Sequence, residues 1–321
     1  MKFLVLNSHD PYLNLAVEEY LFRNSDDDIF MLWQNDKTVV IGKNQNVYAE
    51  INEDFLKEEG ITVARRITGG GAVYHDLGNL NYTFISSSRD KGIDFEYFTE
   101  PILEALRALG ISPTLSGRND LEVSGLKFSG NAQYNDGKRV LHHGTLLFDS
   151  DLTVLSKALS VDEEKLKAKA IKSTRSRVTN LRPLIDRELT VEDFIAIISD
   201  FVIKKYSPEI ISPPENAEIE RLQRRNSKKE WIYPDRDYLS GYTVRRKKKF
   251  FFGLLEVFLD MSNDIVKRAK ISGDFFGERD ITELEKLMEG KALKKLDFSS
   301  DLLEKYIYGI TADEFLSFLT D

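Results

Sequence analysis

Residues 65–84 read RRITGGGAVYHDLGNLNYTF and place three consecutive glycines between a pair of arginines and a His-Asp pair. Gly69, Gly70 and Gly71 lack a Cβ atom, so the backbone there can adopt positive φ and present N–H donors to phosphate oxygens. The two arginines add permanent cations with forked geometry beside these glycines. The stretch predicts a site for an activated, phosphate-bearing acyl group.

The glycine run by itself also fits a hairpin turn flanked by solvated arginines, and both interpretations remain open at this point. Spacing excludes two common phosphate-binding loops. A dinucleotide-binding fingerprint would require glycine at position 74, where the chain has tyrosine, and no G-x-x-x-x-G-K-[ST] motif occurs in the sequence. The loop therefore belongs to neither the Rossmann nor the P-loop class.

Composition indicates a soluble globular protein. The chain has 321 residues, of which 41% are hydrophobic and 31% charged, enough for one large domain with a full core and a smaller second domain. No apolar run approaches the ~20 residues that span a bilayer, and the N-terminus lacks the small-residue cleavage site of a signal peptide. We expect a cytoplasmic protein that does not engage membranes.

Charge and cysteine content exclude several classes of function. A net charge of -8 and a pI near 5.3 argue against general nucleic-acid binding, which requires a basic face. The sequence contains no cysteine, so thiolate nucleophiles, disulfides and thiolate-bound metals are excluded. With only four histidines, a metal site built from several histidines is disfavoured as well.

The order of hydrophobic patterns predicts a mixed α+β fold. Near-helical spacing predicts helices at 14–23, 54–59, 98–109 and 191–206. Short β-rich runs predict strands at 1–6, 30–33, 38–41, 61–65, 73–74, 80–86, 121–123, 126–128 and 141–148. We expect 30–33 and 38–41 to form a hairpin across the intervening QNDK sequence. We expect 73–74 and 80–86 to continue one sheet.

A cluster of Pro, Asp, Ser and Gly at 233–241 predicts a domain boundary. Beyond the boundary, strands are predicted at 242–247, 254–261 and 265–271, followed by helices at about 279–289, 298–307 and 311–319. The sequence thus predicts a large mixed-sheet domain at 1–235 and a small α+β domain at 236–321.

Two further polar stretches have residue types suited to a nucleotide site. Residues 117–120 (GRND) place an arginine and a carboxylate together after a turn, which suits a ribose, a phosphate or Mg²⁺ held with phosphate oxygens. In 126–132 (LKFSGNA), Lys127 lies on a short strand leading into Ser129 and Gly130. Considered alone, a lysine between apolar neighbours on a strand would be expected at the surface.

Seven ordered stretches together resemble a known family. They are PYLNLAVEEYL at 11–21, VVIGKNQN at 39–46, RRITGGGAVYHDLGNLNYTF at 65–84, SGRNDLEV at 116–123, LKFSGNA at 126–132, HHGTLL at 142–147 and STRSRVTNL at 173–181. The set is similar to the lipoate-protein ligase A family of the biotin and lipoate ligase superfamily and covers nearly the whole chain. The segment from about 236 resembles that family's accessory domain.

The resemblance implies an ATP-dependent ligase with a large mixed-sheet catalytic domain. Such an enzyme joins lipoate to AMP, releases pyrophosphate, and transfers the lipoyl group to a lysine of a lipoyl-carrier domain. The acceptors it implies are the lipoyl domains of 2-oxoacid dehydrogenase acyltransferase subunits and the H protein of glycine cleavage. ATP, Mg²⁺ and lipoate are the implied ligands, and we expect a monomer.

The resemblance also implies roles for individual residues. Lys127 matches the family's central lysine, which contacts the acyl carbonyl and the α-phosphate and acts as an electrostatic clamp rather than a nucleophile. Binding of ATP and the adenylate is assigned to Arg66, Gly71, Ala72, Val73, Tyr74, His75, Asn79, Asp120 and Lys127. Lipoate contacts are assigned to Arg66, Gly70, Gly71 and Lys127, with Leu15, Ala16 and Val73 along the tail.

Some of these roles remain alternatives. Asp120 either binds Mg²⁺ or orients Lys127, and His75 either holds a phosphate or is a structural histidine beside Asp76. Arg175 and Arg177 lie in a segment similar to the family's adenylate-binding loop, which would close over the nucleotide and exclude water.

Rival functions differ in how well they fit the sequence. Octanoyltransferases of the same superfamily carry a thioester on cysteine, which this chain lacks. Biotin ligases carry a GRGR-type loop that nothing here resembles. Two alternatives remain open: a non-catalytic protein that binds lipoyl domains or acts as a sensor, and a ligase that needs a relay partner for transfer.

Overall fold

The computed structural model describes residues 1–88, 92–159 and 178–320, and within these ranges fourteen strands form three sheets. The strands are β1 (Lys2–Val5), β2 (Ile29–Trp33), β3 (Thr38–Ile41), β4 (Thr62–Arg65), β5 (Val73–His75), β6 (Asn79–Ser87), β7 (Thr114–Ser116), β8 (Asp120–Val123), β9 (Leu126–Asn135), β10 (Arg139–Leu147), β11 (Glu209–Ile210), β12 (Val244–Phe250), β13 (Gly253–Ser262) and β14 (Ile265–Gly273).

The helices of the described ranges flank these sheets. They are α1 (Pro11–Asn24), α2 (Glu53–Glu58), α3 (Phe95–Ala108), α4 (Leu152–Ala158), α5 (Val191–Tyr206), α6 (Ala217–Asn226), α7 (Lys229–Ile232), α8 (Ile281–Met288), α9 (Ser300–Glu304) and α10 (Ala312–Thr320). Within residues 1–88, 92–159 and 178–320, no helix is both long and apolar enough to cross a membrane.

The largest sheet has eight strands in the order β11-β1-β2-β6-β10-β9-β8-β7. The pairs β11–β1 and β1–β2 are parallel, and all the following pairs are antiparallel. Every residue of β2 and β10 is buried, because other elements cover both faces of the sheet. The predicted mixed-sheet α+β fold is confirmed.

The two faces of the large sheet carry separate hydrophobic cores. On one face, α3 and α5 contribute Phe98 and Phe194 to a core that includes Phe128. On the opposite face, α1 and α6 contribute Leu15 and Ile219, among other residues. The small sheet, β4-β3-β5, contributes Val40 and Ala64 to the core that contains Leu15. Helix α1 therefore packs beside both sheets.

Helix α1 begins three residues before the sequence predicted, and local chemistry explains the difference. Asp10 accepts a hydrogen bond from the Tyr12 backbone N–H at 2.8 Å and so caps the helix. Pro11 occupies the first turn, where its missing N–H leaves no partner unsatisfied. The N-terminal end of α1 is therefore set by Asp10 and Pro11 rather than by the apolar pattern that follows.

The predicted hairpin between 30–33 and 38–41 is wrong. Strand β2 joins the large sheet, whereas β3 is the central strand of the small sheet, where it pairs with β4 and β5. All residues of both strands are buried, so neither has the polar face of a solvent-exposed hairpin. The expectation that 73–74 and 80–86 continue one sheet is also wrong, because β5 and β6 belong to different sheets.

The C-terminal unit, residues 244–320, has its own core. Its sheet is the antiparallel meander β12-β13-β14, packed against α8, α9 and α10 through residues such as Leu255, Ile271 and Phe315. The three predicted strands and three predicted helices are all present in this unit. The boundary at 235/236 stays a prediction.

The C-terminal unit contacts the glycine loop, defined here as residues 67–72. The Gly70 N–H donates to the Phe275 carbonyl at 3.3 Å, and Phe276 is fully buried beside Phe95 and Ala132. A Cβ atom on Gly69 would lie 2.2 Å from the Phe275 carbonyl oxygen. Gly69 is therefore required for close approach between the two backbones, and Gly70, where a Cβ atom would lie 2.9 Å from the Phe276 ring, is required for packing against that ring.

We predict that Gly69→Ala destabilises the protein, because its methyl group would overlap the Phe275 carbonyl. Overpacking of this kind typically costs about 1–3 kcal/mol in free energy of unfolding. Gly71→Ala is the matched control, since a Cβ atom there meets nothing within 4 Å. Urea denaturation measures both variants, and equal free energies of unfolding would contradict the contact.

Candidate active site

A cavity lies between the large sheet and the small sheet, closed on one side by α1. Its volume is about 550 Å³, including its open mouth. The lining residues are Leu15, Trp33, Val40, Arg66, Gly71, Ala72, Val73, His75, Asn119, Lys127, Gly130, Asn131, Ala132, His143, Gly144 and Thr145. The structure thus brings together residues from six of the seven stretches that the sequence singled out as motifs.

Arg66 anchors the glycine loop from within the protein. Its side chain is 5% exposed, and burial lowers its pKa to about 10, so the guanidinium stays charged at neutral pH. Four of its five N–H donors are used, on Thr68 Oγ1 (2.9 Å) and on the backbone carbonyls of Val40 (3.1 Å), Gly69 (2.7 Å) and Gly71 (2.8 Å). Arg66 therefore shapes the loop while lining the cavity.

Arg65 does not lie in the cavity, contrary to the expectation that both arginines flank a phosphate. Its guanidinium donates to the carbonyls of Gly42, Lys43 and Gln45 and, on the other side, to those of Trp231 and Ile232. The alternation of a strand explains this, because neighbouring residues point to opposite faces. Arg65 holds the 42–45 loop against α7.

The three glycines divide between two roles. Gly70 has a φ of 87° and packs against the Phe276 ring, so it does not line the cavity. Gly71 lines the cavity together with Ala72 and Val73. Of the backbone in this stretch, Gly71–Val73 lines the cavity, whereas Gly69 and Gly70 do not. The lipoate contact assigned to Gly70 stays a prediction.

His75 is a neutral hydrogen-bond donor at the cavity wall. Burial, together with the nearby Arg66 cation, lowers its pKa to about 3. Asn35 Oδ1 accepts a hydrogen bond from Asn14 Nδ2 at 3.0 Å, so the Asn35 Nδ2 donor faces His75 Nδ1, also at 3.0 Å. This fixes the proton on Nε2, which is buried without a partner in the described structure. That N–H is available to an acceptor in the cavity.

Lys127 and Asp120 form an ion pair at the cavity mouth. The Lys127 Nζ lies 2.7 Å from Asp120 Oδ1, and each side chain is about one-third exposed. The lysine lies across Gly130, where a Cβ atom would be 3.1 Å from Nζ. The backbone of Lys127 also accepts a hydrogen bond from Thr179 N–H at 2.9 Å. This ion pair supports the prediction that Asp120 orients the lysine, and the alternative that Asp120 binds Mg²⁺ also stays a prediction.

Several predicted site residues lie outside the cavity. Ala16 is buried in the core beneath α1, and Tyr74 in a separate core beside the small sheet. Asn79 is fully buried, with its side-chain amide donating to Asn81. None of these three lines the cavity. Arg175 and Arg177 lie outside the described residues. Their predicted roles in binding stay predictions.

Other cavity residues carried no predicted role. Trp33 and Val40 line the apolar part, while Asn119, Asn131, His143 and Thr145 line the polar part. The HHGT motif at 142–145 was singled out, but strand alternation decides which histidine faces the site. His142 instead stacks on Phe98 at 5.3 Å on the opposite face of the sheet.

Protein ligands for a metal are few in this region. Within residues 1–88, 92–159 and 178–320, no group of three or more His, Cys, Asp or Glu side chains could hold a metal ion. The single carboxylate at the mouth is Asp120, already paired with Lys127. Any divalent cation here would need most of its ligands from a phosphate-bearing substrate.

We predict that His75 makes stability pH-dependent. The unfolded chain binds a proton on this histidine below about pH 6.5, whereas the folded chain does so only near pH 3, so acidification favours unfolding. The slope is at most ~1.4 kcal/mol per pH unit. We expect denaturation at pH 7.5, 5.5 and 4.5 to show that the free energy of unfolding falls less on acidification for His75→Gln than for wild type.

The exposed His9 provides the control for this experiment, since His9→Gln should keep the wild-type dependence on pH. A difference in free energy of unfolding between wild type and His75→Gln that is the same at all three pH values would contradict a neutral, buried His75.

Comparison with known proteins places this geometry in a family. The model of the lipoyl protein ligase A/B catalytic domain matches residues 10–202, and the model of the bacterial lipoate protein ligase C-terminus matches residues 240–319. Lipoate-protein ligase LplJ of Bacillus subtilis (strain 168) is 37% identical over 326 residues, which cover 98% of this chain and 98% of the relative.

Two solved structures are also similar. The crystal structure of P. falciparum LipL1 in complex with lipoate has a TM-score of 0.77 and 28% identity, covering 99% of this chain and 97% of that chain. A lipoate-protein ligase A bound with ATP has a TM-score of 0.62 and 28% identity, covering 72% of this chain and 97% of that chain. From the two domain matches and the full-length relative, we conclude that this chain belongs to the lipoate-protein ligase family.

Proposed function

We propose that this chain activates lipoate with ATP and transfers the lipoyl group to a lysine of an acceptor protein. The Bacillus subtilis relative carries the name of this activity, and the two similar structures hold lipoate and ATP respectively. ATP and lipoate are therefore the substrates that family membership supports for this site.

The observation that carries the proposal is that one cavity has an apolar end and a lysine cation at its mouth. Leu15, Trp33, Val40 and Val73 supply an apolar end that suits a hydrocarbon chain with a dithiolane ring. Lys127 at the mouth supplies a cation positioned by Asp120. An amphiphilic acid would place its tail inward and its carboxylate beside the lysine.

In the first step, a carboxylate oxygen of lipoate attacks the α-phosphorus of ATP. A new oxygen–phosphorus bond forms, the bond from the α-phosphorus to the bridging oxygen breaks, and pyrophosphate leaves with that electron pair. Negative charge accumulates around the phosphorus, and Lys127 stabilises it together with backbone N–H groups of Gly71–Val73 and the Nε2–H of His75.

In the second step, the neutral side-chain amine of the acceptor lysine attacks the lipoyl carbonyl carbon. The carbon–oxygen bond to AMP breaks, AMP leaves as a phosphate anion, and the nitrogen loses a proton to give an amide. Lys127 is placed to stabilise the carbonyl oxygen in this step as well, because that oxygen lies next to the same phosphate. The partly exposed mouth gives an incoming lysine access.

Mg²⁺ belongs to the proposal as a companion of ATP. The donor set fits a cation that takes most of its ligands from phosphate oxygens and water, with Asp120 as a single protein carboxylate. Bound there, the ion would neutralise phosphate charge. Asp120 would then serve both the cation and Lys127.

The proposal extends to organisation and partners. We assign residues 1–235 to the catalytic domain and 236–321 to the accessory domain, in a monomer. The acceptors we propose are lipoyl domains of 2-oxoacid dehydrogenase acyltransferase subunits and the H protein of glycine cleavage. Arg175 and Arg177 are proposed to close over the adenylate. In support of this proposal, Val178 pairs with Lys127 in an isolated bridge.

The deciding experiment is intact-mass analysis of a lipoyl domain and, separately, an H protein after incubation with the chain, ATP, Mg²⁺ and lipoate. We expect a lipoyl mass gain on at least one acceptor, with lipoyl-AMP detected in parallel. Lipoyl-AMP without transfer would point to a relay partner. If neither lipoyl-AMP nor a lipoylated acceptor is formed, the proposal is contradicted and a non-catalytic binding protein is favoured.

We predict that Lys127→Ala lowers turnover by roughly two to three orders of magnitude, the typical loss when one preorganised donor is removed. The fold should persist, because the side chain is one-third exposed. Pyrophosphate release measures the first step, and Lys138→Ala, an exposed lysine on the β9–β10 turn, is the matched control. Turnover at the wild-type level in Lys127→Ala would refute the assigned role.

A further inference from the structure

A buried carboxylate lies behind the cavity and takes no part in the chemistry above. Glu18 of α1 is 1% exposed. Its Oε1 atom accepts a hydrogen bond from Thr83 Oγ1 at 2.7 Å and another from His143 Nδ1 at 2.8 Å. A carboxylate this deeply buried is costly unless its partners are fixed, so its place in the site needs an explanation.

One branch runs from Glu18 to the glycine loop. Because His143 Nδ1 donates to Glu18, its Nε2 can accept, and Thr68 Oγ1 lies 2.9 Å away. The Thr68 oxygen in turn accepts from Arg66 Nε at 2.9 Å. Every donor in this branch meets an acceptor, and the order of donors is fixed by the charges at its two ends.

The two ends of this branch are opposite charges. Within residues 1–88, 92–159 and 178–320, no carboxylate forms an ion pair with Arg66. Glu18 is the anion that acts on this buried cation at longer range, and its charge raises the pKa of Arg66 against the effect of burial. Thr68 and His143 link the two charged groups through hydrogen bonds and so couple their orientations.

The other branch runs from Glu18 to the apolar end of the cavity. Thr83 Oγ1 donates to Glu18 and accepts from Trp33 Nε1 at 2.9 Å. Trp33 is 3% exposed, lines the cavity and meets the His75 ring edge-on, with centroids 6.0 Å apart. The indole plane at the tail end is therefore set through the same carboxylate oxygen.

We propose that Glu18 is a positioning residue that fixes both ends of the cavity at once, Arg66 and the glycine loop through His143 and Thr68, and Trp33 through Thr83. The inference rests on the proposed function, because it takes ATP as the ligand at the glycine loop and lipoate as the ligand at Trp33. Glu18 touches neither ligand and acts only through these side chains.

Two matched substitutions separate the branches. Thr68→Val and Thr83→Val each remove one hydroxyl from a fully buried, β-branched residue while keeping its shape. Calorimetry measures the dissociation constants for ATP and for lipoate. We expect Thr68→Val to weaken ATP binding by about tenfold and lipoate binding by less than twofold, and Thr83→Val to do the reverse. Each substitution removes a hydroxyl that makes two buried hydrogen bonds, both within its own branch.

Glu18→Gln tests the shared origin of the two branches. The substitution keeps an oxygen acceptor but removes the negative charge, so we expect it to weaken the binding of both ATP and lipoate. In a Trp231→Phe background, where Trp33 is the remaining tryptophan, Glu18→Gln and Thr83→Val should shift Trp33 emission, and Thr68→Val should not. If Glu18→Gln does not fold, the split between the two valine variants still decides the question.

The outcomes distinguish this inference from the proposed function. Wild type that binds neither ligand overturns the proposed function and this inference with it. If wild type binds both ligands but Thr68→Val and Thr83→Val each weaken the binding of ATP and of lipoate equally, only the positioning role is overturned. Unchanged binding and emission in Glu18→Gln overturns it as well.

Discussion

The buried guanidinium of Arg66 is the interaction on which the site depends. A cation at 5% exposure must be surrounded by acceptors, and the chain meets this demand by wrapping the glycine loop around it. The carbonyls of Gly69 and Gly71 accept hydrogen bonds from Arg66, and Gly71, Ala72 and Val73 line the cavity. The shape of the glycine loop at the cavity wall therefore follows from the need of the buried Arg66 guanidinium for hydrogen-bond acceptors.

That same loop also meets the C-terminal unit, and the two contacts constrain each other. Gly69 and Gly70 lie against Phe275 and Phe276, while Gly71 lies one residue further on at the cavity wall. The Arg118 guanidinium, 4.4 Å from the Phe276 ring centroid, adds to this contact from the neighbouring 117–119 turn. A shift of the C-terminal unit would therefore displace the backbone that lines the cavity.

Much of the element pattern and the central site residues could be predicted from the sequence, because both depend on local chemistry or on motifs. Arg66, His75 and Lys127 line one cavity as expected. The errors arise where tertiary context decides. Strand alternation turns Tyr74 away from the site between Val73 and His75, and full burial of β2 and β3 hid the fact that they join different sheets.

Residues whose role depends on distant partners could not be found this way. Glu18 reads as one of two adjacent acidic residues on an amphipathic helix, and only the fold brings it to His143, 125 positions along the chain. Trp33 likewise reads as an apolar strand residue until Thr83 orients its indole toward the cavity. Such contacts carry no spacing signal in a single sequence.

The most direct test of the account is a crystal structure of this chain with a non-hydrolysable lipoyl-adenosine sulfamate, an analogue of the lipoyl adenylate. We expect the dithiolane tail beside Leu15 and Trp33 and the acyl sulfamate within hydrogen-bond distance of Lys127 Nζ, next to the Gly71–Val73 backbone. An analogue bound with its tail outside this cavity, or with Lys127 out of contact, would contradict it.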